Sequence, residues 1–66
     1  MLFSTIKIKG KEVYLMTDIE TGQFSWTKNK SDCIIFNEDR EAQTFAKKYF
    51  KEFKNWEVAD VEIQYT

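Results

Sequence analysis

The sequence predicts a two-layer α+β domain in which one amphipathic helix packs on an antiparallel sheet, in the order β-β-β-(short element)-α-β. Three observations lead there. Residues 2–27 alternate apolar and polar positions in three short runs separated by turn residues, residues 42–53 carry one apolar stripe at helical spacing, and residues 56–65 return to alternation. A chain of 66 residues with no proline and two glycines fits a single domain spanning residues 1–66.

Residues 2–9 place Leu2, Ile6 and Ile8 on one side and Phe3, Thr5, Lys7 and Lys9 on the other, as a half-buried strand does. Gly10 supplies the residue that tolerates positive φ, and residues 12–17 set Val13 and Leu15 against Tyr14 and Met16, closing a hairpin. Asp18 and Gly22 frame a second turn, the first through its side chain and the second through its freedom to enter left-handed backbone. In the third strand, residues 23–27, Phe24 and Trp26 share a face.

The apolar tetrad at 33–36 is too short to assign by period, and a short strand or a helical turn both fit. Asn37 then reads as an N-cap, with Glu38, Asp39 and Glu41 at the helix start and Lys47, Lys48, Lys51 and Lys54 towards its end. These signals predict a helix of about 16 residues. Its stripe is Ala42, Phe45, Ala46, Tyr49, Phe50 and Phe53, and Asn55 ends it. In the last strand Trp56 and Val58 are out of phase with Val61, Ile63 and Tyr65, which predicts a bulge near Ala59 and Asp60.

Composition removes several functions. One cysteine makes no intramolecular disulfide, and the longest apolar run before Glu12 is Met1-Leu2-Phe3, so neither a disulfide framework nor a signal peptide is expected. These features point to the cytoplasm, and no run approaches the roughly 20 apolar residues of a membrane span. Without histidine the usual general base, the common nucleophile pairs and most zinc sites lack a key residue, so no catalytic residue, cofactor or metal is assigned. Glu12, Asp18, Glu20 and Asp32 sit in or beside turns without a calcium-loop pattern. Cys33, among apolar neighbours, reads as a packed, inert thiol.

A domain this small buries only about 60% of the surface its unfolded chain exposes, so its eleven aromatic residues carry much of the core. Phe36, Phe45, Tyr49, Phe50 and Phe53 are assigned to the layer between helix and sheet, and Phe24 and Trp26 join them if their shared face is the one the helix covers. That leaves Phe3, Tyr14 and Met16 on the other face of the sheet, which no second layer is expected to cover. An exposed apolar patch there favours protein contacts. Lys7, Lys9, Lys11, Lys28 and Lys30 cluster on the first strand, the first turn and the exit from the third strand, and aromatic platforms with cations also suit nucleic acid. The helix lysines are explained chiefly by the helix dipole and solubility. Open sheet edges offer a further contact, by self-pairing or strand addition.

The run Thr17-Asp18-Ile19-Glu20-Thr21-Gly22, then Phe24-Ser25-Trp26-Thr27, then Asp32-Cys33-Ile34-Ile35-Phe36, and the helix residues Glu41-Ala42 and Phe45-Ala46-Lys47-Lys48-Tyr49-Phe50 resemble small accessory proteins of phages and mobile elements of Gram-positive bacteria. The resemblance implies a cytoplasmic, non-enzymatic protein. Some proteins of this kind bind and inhibit host enzymes, including defence nucleases such as CRISPR effectors. The expected function is therefore steric modulation of a host or defence protein. The expected contact residues are Phe3, Lys7, Lys9, Tyr14, Met16, Trp26, Lys28 and Lys30. A small nucleic-acid-binding protein using the same face is the alternative, and a homo-oligomeric structural protein, such as a homodimer, the third reading.

Overall fold

A computed structural model describes residues 2–63. Four strands form one antiparallel sheet in the order β3-β2-β1-β4: β1 (Leu2–Ile8), β2 (Tyr14–Thr17), β3 (Phe24–Thr27) and β4 (Trp56–Glu62). One helix, α1 (Asp39–Tyr49), packs on it, so the α+β architecture is as expected. Gly10 and Gly22 take φ of 75° and 72° at the two hairpin turns. The Asp18 carboxylate accepts the Glu20 amide at 2.9 Å.

The central hairpin is only partly zipped. Among the described residues β1 and β2 share the single ladder pair Lys7 and Tyr14, extended by the Ile8 amide donating to the Val13 carbonyl at 2.8 Å. Beyond it the strands part and residues 34–36 enter between them. Ser4 and Phe36 exchange both backbone hydrogen bonds, at 2.7 and 2.8 Å, and the Ile34 amide donates to the Leu15 carbonyl at 2.9 Å. The Thr5 hydroxyl donates to the Ile34 carbonyl at 2.6 Å. The apolar tetrad is thus an extended insert that satisfies backbone groups the parted strands no longer give each other.

α1 is shorter than its sequence signals suggest and starts differently. Glu38, not Asn37, occupies the N-cap, without a side-chain cap bond, and the helix ends at Tyr49. Phe50 leaves helical geometry at φ −115° and ψ 59°. Tertiary contacts override the stripe here: Phe50 and Phe53 turn back onto Trp26, with ring centroids 5.9 and 5.7 Å away. A helix continued through residue 54 would carry the chain about 7.5 Å farther along its axis. Instead the Asn55 carbonyl accepts the Lys9 amide at 2.9 Å, which places Trp56 opposite Ile8.

The expected bulge does not occur. β1 and β4 pair in one unbroken register from Leu2 opposite Glu62 to Ile8 opposite Trp56. Val58 opposes Ile6 on the helix side, and Val61 opposes Phe3 on the other. β4 carries apolar residues on both faces because both faces are covered at that point. Tyr65 lies outside the described residues.

The core consists of Ile6, Leu15, Ala42 and Ala46, with Trp26, Ile34, Phe36, Phe45, Phe50, Trp56 and Val58 packed around it. Small Ala42 and Ala46 let the helix approach the sheet closely.

Thr5 is fully buried and its hydroxyl holds the insert. Thr5→Val is therefore expected to lower stability in urea unfolding by about 1–3 kcal/mol, the cost of an unsatisfied buried carbonyl. Amide exchange at Ile34 and Phe36 should accelerate more than at Ile6, and unchanged exchange at the insert would show that this bond is dispensable.

Candidate protein-binding surface

The structure divides the eight expected contact residues. Phe3, Lys7, Tyr14 and Met16 do share the sheet face turned away from α1, as the cross-strand pairs require. That face is not an open apolar patch. Tyr14 is only 3% exposed, and Phe3 and Met16 are half-buried. The cause is the chain between β3 and α1, where a 3-10 turn (Lys30–Asp32) brings the Lys30 ammonium 5.7 Å from the centroid of the Tyr14 ring. Lys9, Lys28 and Lys30 are exposed, whereas Trp26 belongs to the opposite, helix-side layer.

Polar groups close the covered face. The Tyr14 hydroxyl donates to the Glu12 carboxylate, which also meets the Lys7 ammonium at 3.4 Å. That hydrogen bond, with burial and the Glu12 charge adding to it, raises the Tyr14 phenol from its ordinary 10 to about 12. The same bond, helped by Lys7, lowers the Glu12 carboxyl below its ordinary value. Asp32 accepts from the Asn29 side chain at 3.1 Å, so like Asp18 it serves a turn. Among the described residues no cluster of three metal-ligating side chains occurs. Cys33, expected to be packed, is half-buried and lines a groove of about 550 Å³ with Ile35, Val61 and Ile63.

The exposed aromatic surface lies on the other side. The five rings assigned to the helix layer join Phe24 and Trp26, whose shared face is the helix side, in a single connected cluster. Phe24 meets Phe45 at 5.3 Å, Tyr49 at 5.6 Å and Phe50 at 6.4 Å. Phe36 meets Phe45 at 5.3 Å, Phe45 meets Tyr49 at 4.5 Å, and Phe50 meets Phe53 at 6.3 Å. Yet Phe24, Tyr49 and Phe53 remain 41%, 51% and 40% exposed.

The reason is where the helix sits. α1 lies against β1 and β4, so β3 is reached only by long side chains. Within α1, Ala42 and Ala46 bury fully against the sheet, while Phe45 is half-buried and Tyr49 exposed beside Phe24 of β3; Phe50 and Phe53 lie beyond the helix end and fold back onto Trp26. The available sequence signal was that the two small residues of the stripe, Ala42 and Ala46, are spaced i, i+4 and lie in a different row from Phe45 and Tyr49. Reading the stripe as one face concealed Phe24, Tyr49 and Phe53 as surface residues.

Cations border this cluster. The Lys48 ammonium stands 5.5 Å from the Tyr49 ring centroid, and Arg40 and Lys48 flank Phe36, Phe45 and Tyr49 in a groove of about 430 Å³. On its other side Lys47, Lys51 and Lys54 line a groove of about 530 Å³ with Phe50 and Trp56. β3 and β4 are the sheet edges. β3 is Phe-Ser-Trp-Thr without a charge, while β4 carries Glu57, Asp60 and Glu62.

Among the described residues no helix is long and apolar enough to cross a membrane. No protein-family model, curated protein or solved structure matches the chain.

Because the folded-state pKa of Tyr14 is raised and that of Glu12 lowered, their bond stabilises the fold fully from above the acid titration of Glu12 up to pH 10 and is lost as pH rises towards about 12. Ultraviolet titration of phenolate should show one transition near 12 that Tyr14→Phe abolishes. Its persistence in that variant would assign the bond elsewhere.

Proposed function

We propose that this chain is a non-enzymatic protein-binding module that covers a surface of a larger protein, with Phe24, Tyr49 and Phe53 as its central contact. The carrying observation is that three aromatic rings, each at least 40% exposed, belong to one pre-assembled cluster in which Phe24 meets Tyr49 directly and Phe53 is joined to Phe24 through Phe50. Rings already held by their neighbours lose little freedom when a partner lands on them, which favours affinity per unit of area. Aromatic anchors with a polar margin are also the usual composition of an interface centre.

Modulation would be steric and needs no cofactor. The resemblance to phage and mobile-element accessory proteins supports a search among host and defence proteins, with inhibition of the anti-CRISPR type as the form such binding would take. The outer sheet face gives the nucleic-acid alternative little support, because its Tyr14 ring is buried.

The test is affinity capture from bacterial lysate with the parent chain, a Tyr49→Ser/Phe53→Ser variant and a Tyr14→Phe control, each confirmed as folded by circular dichroism. A specific protein retained by parent and control but reduced about tenfold or more with the double variant is the expected result. Equal retention by the double variant would overturn the assignment, as would light scattering in which the patch serves only self-association.

A further inference from the structure

Resting on that reading of the aromatic surface, we propose that Lys47, Lys51, Lys54, Phe50 and Trp56 form an anion-binding extension of it that takes the carboxylates of an acidic peptide segment of the partner. Three lysines and two aromatic side chains line this groove of about 530 Å³, and no carboxylate does. The only ion pair among the described residues is Lys7 with Glu12, so these lysines have no internal counter-charge there.

Two of the three also escape the usual explanation for lysines near a helix end. Lys47 lies in the last turn of α1 and complements its dipole. Lys51 and Lys54 follow the end of the helix at Tyr49, and the dipole effect falls off within the last turn. In a chain of net charge −1, this concentration of positive charge beside the exposed rings is a local feature. The complementary partner is negatively charged at this end and apolar where it meets Tyr49 and Phe53.

Carboxylates fit better than a nucleic acid. A base needs a free ring face to stack on, but Phe50 already stacks on Trp26 and meets Phe24 and Phe53 edge-on. Trp56 is half-buried against the core. What the groove offers a ligand is three ammonium groups over apolar walls. Phe50 belongs to both the groove and the ring cluster, so the two regions are continuous.

A Trp26→Phe background leaves Trp56, a groove wall, as the sole tryptophan and fluorescent reporter. The probes are a nine-residue peptide of three Glu-Glu-Leu repeats, its Gln-Gln-Leu counterpart and a ten-nucleotide oligothymidylate. Saturable binding of the Glu peptide is expected, weakened by salt and reduced about tenfold or more by Lys51→Glu/Lys54→Glu and in the Gln peptide. Equal binding of the Gln peptide, indifference to charge reversal, or tighter binding of oligothymidylate would overturn the proposal. Capture separates it from the broader reading. A partner lost with Tyr49→Ser/Phe53→Ser but kept with Lys51→Glu/Lys54→Glu removes the groove and leaves the aromatic contact standing. The reverse pattern removes the aromatic contact and leaves the groove.

Discussion

β2 parts from β1 after one ladder pair, and much of the architecture follows from what fills the gap. Parted strands expose backbone donors and acceptors, each costing about 1–3 kcal/mol if buried without a partner. Residues 34–36 supply those partners at Ser4 and Leu15, while the Thr5 side chain satisfies the insert's own carbonyl. Being extended, the insert alternates its side chains. Ile34 and Phe36 join the core under the helix, and Cys33 and Ile35 line the groove on the other side. The 3-10 turn before it is drawn across the outer face, which buries Tyr14 beneath Lys30.

The same insert sets where the helix begins. α1 starts three residues after Phe36, and the Asp39 carboxylate accepts a hydrogen bond from the Ser4 hydroxyl, anchoring the first turn over β1. From that start the helix runs over β1 and β4, off-centre on a four-stranded sheet. β3 is then covered by rings alone, and rings reaching sideways from a helix shield one another only in part. Exposure of Phe24, Tyr49 and Phe53 is thus a consequence of helix placement. Early termination of α1 has a second effect: it releases Lys51 and Lys54 from the helix and sets them around Phe50 and Trp56.

The sequence by itself determined the four strands, the helix and their order, both glycine turns, the phases of β1 and β2, and the shared face of Phe24 and Trp26. Each follows from local chemistry: period-2 or helical spacing, positive φ at Gly10 and Gly22, and the side-chain cap of Asp18. Only the tertiary structure decided which aromatics face solvent. An amphipathic pattern says which side of an element is apolar, but not whether another element lies over it. Tyr14 reads as surplus and is covered by a loop, whereas Tyr49 reads as core and projects past its sheet. Trp56, Val58 and Val61 likewise suggest a bulge until both faces of β4 are seen to be covered. Burial is a property of where distant segments come to rest, and no local period encodes that.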